Sequence, residues 1–237
     1  MSDEMSTTGA VPPDDTAMLA AYVASAERIV GLAGTLGDRL KEVRVAACPA
    51  WSGHDLLAHV TSVCRRVASP RPIDGGDHQQ WIDREIAQRV RHSTAEVAEE
   101  FADLVPELEA VMSGRPAGAL VVDLVTHEHD LRAALGGTFV DHSLGLHQAL
   151  SATVAWVGGL KLVQSGCLTL SAPSARAEFG DAGAPTRVTF PDDWEMWRTL
   201  AVRRSREQLE GYPRSGDLQP LLDVTSRYPL PEQPLSD

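Results

Sequence analysis

Apolar residues recur at three-and-four spacing through Leu19, Tyr22, Val23, Ala26, Ile29, Val30, Leu36 and Leu40. That period marks one stripe of an amphipathic helix, and Asp14 or Asp15 stands where its N-cap is needed, so a long bundle helix is predicted. After Cys48-Pro49-Ala50-Trp51, Ser52 and Asp55 have the spacing of a capping box. The helix that they start is expected to run to about Ala68, ahead of Pro70 and Pro72. Ile82, Ile86 and Val90 begin a third helical segment, and Ser93 with Glu96 forms a fresh capping box before Val97, Phe101, Leu104, Leu108 and Val111. The third helix is therefore expected in two parts. Gly114-Arg115-Pro116 breaks the pattern, Ala117 to Leu135 restores it, and Gly136-Gly137 closes it. Leu144 to Leu162 forms a fifth helix weakened by Gly158-Gly159.

Beyond Gly166 the pattern changes. Cys167–Ser171, Ala175–Phe179 and Arg187–Phe190 are short alternating or β-branched runs between Pro, Gly and Asp, and are read as a small antiparallel sheet. Asp192 or Asp193 opens a helix through Trp194, Trp197, Leu200 and Ala201, and the Pro-rich end from Tyr228 is expected to be extended. The class is thus mainly α: a helical bundle over residues 14–160, then a smaller α/β domain over 161–237, with 1–13 as a disordered tail.

Composition narrows the function classes. Thirty-three acidic against 21 basic residues give a formal charge of -12, which repels phosphate backbones and anionic lipid, so neither nucleic acid nor membrane is an expected partner. Cys48, Cys64 and Cys167 form neither a disulfide framework nor a CxxC site, which suits a reducing, cytoplasmic setting. No basic start with an apolar run opens the chain, and no stretch approaches the roughly 18 continuous apolar residues of a membrane span.

Two helices carry an aspartate four residues before a histidine: Asp55-x-x-x-His59 and Asp123-x-x-x-His127. At 3.6 residues per turn each pair shares a helix face, and Asp130 joins 123 and 127 within about 60° on the wheel, with Glu128 and His129 pointing elsewhere. Leu120, Val121, Leu124, Val125, Leu131 and Leu135 make that helix apolar, so an ionisable edge beside its packed side needs a partner. A divalent metal gathered between helices is one such partner. A helix-stabilising surface contact is the other reading, and for Asp55 capping is explanation enough.

The run Cys48-Pro49-Ala50-Trp51-Ser52-Gly53-His54-Asp55-Leu56-Leu57-Ala58-His59-Val60 resembles the second-helix signature of the mycothiol-dependent maleylpyruvate isomerase family, within the DinB-like superfamily. Asp123-Leu124-Val125-Thr126-His127-Glu128-His129-Asp130-Leu131-Arg132 resembles that family's later metal-binding helix. Leu200-Ala201-Val202-Arg203-Arg204-Ser205-Arg206-Glu207-Gln208 and Gly216-Asp217 resemble its tail. The resemblance implies a DinB-like four-helix bundle to about residue 160, then an α/β domain, and a zinc ion held by His59, Asp123 and His127. Two departures stand out. The family commonly has glutamate at position 123, so the shorter aspartate requires a closer helix approach or a bridging water. It also has Gly-Arg where this chain has Val202-Arg203.

Three protein ligands leave a zinc position open, as in catalytic sites. In the family that position takes the sulfur of mycothiol, a small-molecule thiol cosubstrate, and zinc favours its thiolate. The implied reaction is isomerisation of a maleylpyruvate-like substrate by thiolate addition, bond rotation and elimination, or S-transfer to a small electrophile. Arg203 is the candidate for a substrate carboxylate, because a guanidinium offers paired donors; with Arg204 and Arg206 it reads equally as a solvated face. Asp130 is a candidate for orienting a histidine, and Trp51 either lines the site or staples the helix start. His54, His78, His92, His129, His142 and His147 lack the shared spacing and are expected at the surface, and Cys64 is read as small buried packing. A non-catalytic ligand-binding or regulatory protein and a zinc hydrolase remain as alternatives on the same fold.

Overall fold

The computed structural model describes residues 14–69, 77–137, 144–164, 166–181 and 185–236. The tail expected over 1–13 and His142 lie outside them. Helix α1 (Asp15–Leu36) runs into a 3-10 turn (Gly37–Lys41), followed by α2 (Gly53–Ala68), α3 (His78–Arg89), α4 (Thr94–Met112), α5 (Gly118–Ala134) and α6 (Leu144–Leu160). Then come β1 (Cys167–Ser171), β2 (Arg176–Gly180), β3 (Pro185–Thr189), α7 (Asp193–Leu200), α8 (Arg206–Gly211), β4 (Arg214–Ser215) and α9 (Gln219–Thr225). The chain divides into two compact units, built on 15–145 and on 146–235. Helix α6, grouped with the bundle in the sequence reading, falls on the C-terminal side of that division.

Both capping boxes form. Ser52 N–H donates to Asp55 at 2.8 Å while Asp55 N–H donates to Ser52 Oγ at 3.2 Å, and Ser93 and Glu96 make the same exchange at 2.7 and 3.2 Å. Each satisfies N–H groups that a helix start leaves without intrahelical acceptors. In the first unit α1 and α2 each pack on both α4 and α5, giving a four-helix bundle, and α3 lies against α2. Tyr22, Ile29, Leu56, Leu57, Phe101, Leu108, Leu124 and Leu131 fill its core.

The bundle also buries Glu128. Arg28 Nε and Nη2 donate to its two oxygens at 2.6 and 2.8 Å, Ser25 Oγ donates at 2.7 Å, and Arg132 Nε donates at 2.8 Å from one turn further along α5. The segment Asp15–Lys41 is long and apolar enough to cross a membrane by length and composition. Its pairing through Arg28 to a buried carboxylate and its packing on α4 and α5 are those of a bundle helix.

In the second unit the strand order is β2-β1-β3-β4. Strands β1 and β2 pair antiparallel, as do β3 and β4, but β1 and β3 pair parallel. The sheet is therefore mixed, which corrects the antiparallel expectation. Alternation along β2 and β3 reports one buried face, and that signal is the same whichever way the neighbouring strand runs. Gly180, which ends β2 at φ +85°, lies so close to Gly166 that a Cβ would come 2.5 Å from the Gly166 carbonyl oxygen.

Burial alone would raise the Glu128 carboxyl, but hydrogen bonds from Arg28 and Ser25 outweigh it and hold its pKa below the ordinary value. Such a group stabilises the fold above its unfolded pKa, and that stabilisation is lost as pH falls through the lower folded pKa. We predict that Glu128→Gln destabilises the protein by about 2 kcal/mol at neutral pH, and that the loss shrinks on acidification below about pH 4.5. Urea unfolding of both proteins across that range checks it; an unchanged difference at low pH would show that the carboxylate charge is not what the bundle uses.

Candidate metal centre

The capping box fixes where α2 begins, and two turns in, His59 faces α5. Asp123 and His127, one turn apart on α5, face back. His59 Nε2 lies 3.4 Å and His127 Nε2 3.7 Å from the same oxygen, Asp123 Oδ1. One ligand atom from each of the three lies within 4.8 Å of the others. A tetrahedral ion with bonds of about 2.0–2.1 Å separates its ligands by about 3.3–3.4 Å, so the spacing to Asp123 is close to the edge of a zinc-sized tetrahedron. Two imidazoles and one carboxylate are also a donor set suited to zinc. These residues fit the ion.

The two rings stand edge to face with centroids 4.9 Å apart, and Trp51 covers both, 4.9 Å from the His59 ring and 5.7 Å from that of His127. Both histidines are buried, whereas the Asp123 side chain is 31% exposed. Access from solvent is thus on the Asp123 side. Burial pushes the His127 pKa below the ordinary imidazole value, and the neighbouring Asp130 and Asp123 carboxylates oppose that only in part. The uncharged ring, the form that can coordinate, is favoured.

The loop that carries Trp51 is closed on itself. Arg44 and Ser52 form an isolated antiparallel bridge, Val45 N–H donates to the Trp51 carbonyl at 3.2 Å, and Gly53 N–H donates to the Val43 carbonyl at 2.9 Å. Gly53 is needed where α2 starts: a Cβ there would lie 2.7 Å from Leu40 Cδ2 and 3.2 Å from Leu131 Cδ1, both on fully buried side chains. Helix α2 is pressed against the 3-10 turn and α5 at that point. The same loop carries Cys48, whose Sγ–H points to Asp130 Oδ2 at 4.0 Å. Sequence reasoning passed over Cys48, because its placement depends on loop closure and no periodicity reports that.

Asp130 is buried and its Oδ2 lies 3.4 Å from His127 Nδ1. Asp55 serves the capping box, and Cys64 is fully buried, with burial pushing its thiol up to about 11. Two surface expectations are corrected. His54 is buried, its ring nitrogens 3.1 Å from Thr94 Oγ1 and from the Arg89 carbonyl oxygen, and His129 is buried as well. The packed side of α5 is wider than its apolar stripe suggested. His78, His92 and His147 are exposed.

Arg203 belongs to the C-terminal unit and is half-buried, its Nη1 donating to the Ala201 carbonyl at 3.0 Å. It follows a paired closing turn of α7: Val202 N–H donates to the Thr199 carbonyl at 3.0 Å and Arg203 N–H to the Arg198 carbonyl at 2.7 Å. That is a Schellman motif, whose left-handed residue is usually glycine. Here it is Val202, at φ +59°. A β-branched residue is strained in that region, while burial of its side chain offsets part of the strain.

No known family profile and no curated protein matches the chain. Among solved structures it is similar to a mutant of mycothiol-dependent maleylpyruvate isomerase, with 14% sequence identity, a TM-score of 0.59, and coverage of 85% of this chain and 93% of that one. The likeness establishes a shared fold. It extends over both units of this chain and leaves the chemistry to be argued from the residues.

Asp130 raises and burial lowers the His127 pKa, so removing the carboxylate has a definite sign. In the metal-free protein, the Cε1 proton of His127 followed by NMR is expected to titrate below the ordinary imidazole range, and lower still in Asp130→Asn. An upward shift in that variant would mean that Asp130 does not act on the ring.

Proposed function

We propose that this protein is a cytoplasmic metalloenzyme that activates a small-molecule thiol, with mycothiol as the first candidate. In this reading a divalent ion, zinc in first place, is held by His59, Asp123 and His127. The observation that carries it is the convergence of those three ligand atoms within 4.8 Å of one another, with Asp123 Oδ1 3.4 and 3.7 Å from the two imidazole nitrogens, on a fold shared with a mycothiol-dependent isomerase. The reaction would be isomerisation of a maleylpyruvate-like compound or S-transfer to a small electrophile.

Zinc held by His59, Asp123 and His127 would supply thiol activation, by lowering the pKa of a sulfur bound to it. The chain's own groups do the rest. Trp51 shields the two imidazoles from water on one side. Asp130, beside His127 Nδ1, favours the tautomer with the proton on Nδ1 and the lone pair on Nε2. Cys64, buried and with its thiol pushed up, is unsuited to act as the nucleophile. Arg203 is the proposed holder of a substrate carboxylate, and the strained residue before it gives its backbone a fixed conformation.

Elemental analysis of purified protein is expected to find at least one tightly held divalent ion per chain, and His127→Ala to lose both metal and thiol-dependent turnover while keeping its helical circular dichroism. Turnover on metal and water without thiol would identify a hydrolase instead, and ligand affinity without product would identify a binding protein. Absence of tight metal from the wild type, with no restoration of turnover by added zinc, would sink the centre.

Arg203→Lys keeps the charge but loses the paired donors. On an anionic substrate it is expected to raise KM by about tenfold, the equivalent of one charge-assisted hydrogen bond, with metal content unchanged. Normal kinetic constants in both Arg203→Lys and Arg203→Ala would overturn the carboxylate-holding role of Arg203.

A further inference from the structure

His127 has two ring nitrogens, and the centre proposed above uses only Nε2. Nδ1 is buried and makes no hydrogen bond: Asp130 Oδ2 lies 3.4 Å away without the alignment that a bond requires. On that side of the ring a second set of ligand atoms converges. Cys48 Sγ, a His127 nitrogen and an Asp130 carboxylate oxygen all lie within 4.8 Å of one another, with Asp130 1% and His127 7% exposed and Cys48 half-buried.

We propose that Cys48, His127 through Nδ1, and Asp130 form a second metal site, for a thiophilic divalent ion such as zinc or cadmium, that shares the His127 ring with the first. The spacing suits it. With bonds of about 2.0 Å to nitrogen and oxygen and about 2.3 Å to sulfur, tetrahedral ligands stand about 3.3 Å apart for nitrogen and oxygen and about 3.5 Å for sulfur and oxygen. The nitrogen–oxygen pair is at 3.4 Å, and the sulfur–oxygen pair, at 4.0 Å, has to close by a fraction of an ångström.

The chemistry of the donors points the same way. A thiolate beside a carboxylate cancels the charge of a dication in a site with little access to water, and sulfur selects zinc or cadmium over magnesium or calcium. In the metal-free arrangement the Cys48 proton lies between Sγ and Asp130. An entering ion displaces that proton and the one on His127 Nδ1, and both pass to solvent. Thiolate, carboxylate and a bridging imidazolate remain. Half-burial of Cys48 gives the ion a way in that does not pass through the first centre.

Cobalt(II) titration of the metal-free full-length protein separates the two sites, because only a sulfur ligand gives an intense near-ultraviolet thiolate-to-cobalt band. Wild type is expected to take up two equivalents and to show the band. Cys48→Ser should lose the band and one equivalent, and Asp130→Asn should weaken the same equivalent at least tenfold. His59→Ala should lose the other equivalent and keep the band. Uptake of a single equivalent without the band overturns the second site and leaves the first intact. A band that persists in Cys48→Ser also overturns it, since the sulfur would then be Cys64 or Cys167. Two equivalents retained in His59→Ala would instead count against the centre proposed above. Circular dichroism of each variant confirms that lost uptake is not lost folding.

Discussion

Five successive residues of α5, Thr126, His127, Glu128, His129 and Asp130, are buried although none is apolar. A helix that turns a polar run of this length into a bundle has to find a partner for every charge, because a buried ionised group without one costs several kcal/mol. Glu128 is met by Arg28 and Ser25 from α1 and by Arg132 from its own helix. His127 is met by Asp123 on one edge and Asp130 on the other. The first set ties α5 to α1, and the second turns its ligand atoms toward α2 and the loop before it. Packing of the bundle and geometry of the centre thus depend on one segment.

Where sequence carries local chemistry it was readable. Ser52/Asp55 and Ser93/Glu96 announce helix starts because a capping box is a contact between residues three apart, and the structure contains both. The spacing of Asp123 and His127 places them on one face for the same reason. That His59 lies opposite them is a fact about two helices 64 residues apart, and the family resemblance, not periodicity, suggested it. The burial of His54 was hidden because it is held by tertiary neighbours, Thr94 and the Arg89 carbonyl, and that of His129 because the buried side of α5 reaches beyond its apolar positions. Strand direction in the β1–β3 pair was hidden too, since alternation carries no sign.

Val202 stands where the resembled pattern has glycine, and it adopts a left-handed conformation. The paired closing bonds of α7 require a left-handed residue, and here they form with valine in that place. Backbone hydrogen bonds and burial of the valine side chain oppose the steric cost. The conformation that presents Arg203 is therefore set by the helix ending and not by the freedom of a glycine.

Aspartate at position 123 poses a sharper problem, because its side chain is one methylene shorter than the glutamate of the resembled family. A shorter ligand leaves two possibilities: the helices approach, or a water bridges the gap. Asp123 Oδ1 stands 3.4 and 3.7 Å from the two imidazole nitrogens, a separation close to the edge of a zinc-sized tetrahedron. The two helices are in close contact at Gly53 as well, where a Cβ would press on Leu40 and on Leu131 of α5. In the proposed centre a glutamate at 123 would carry its carboxylate one methylene further toward the two imidazoles, so the aspartate is the side chain that suits the spacing between α2 and α5 here.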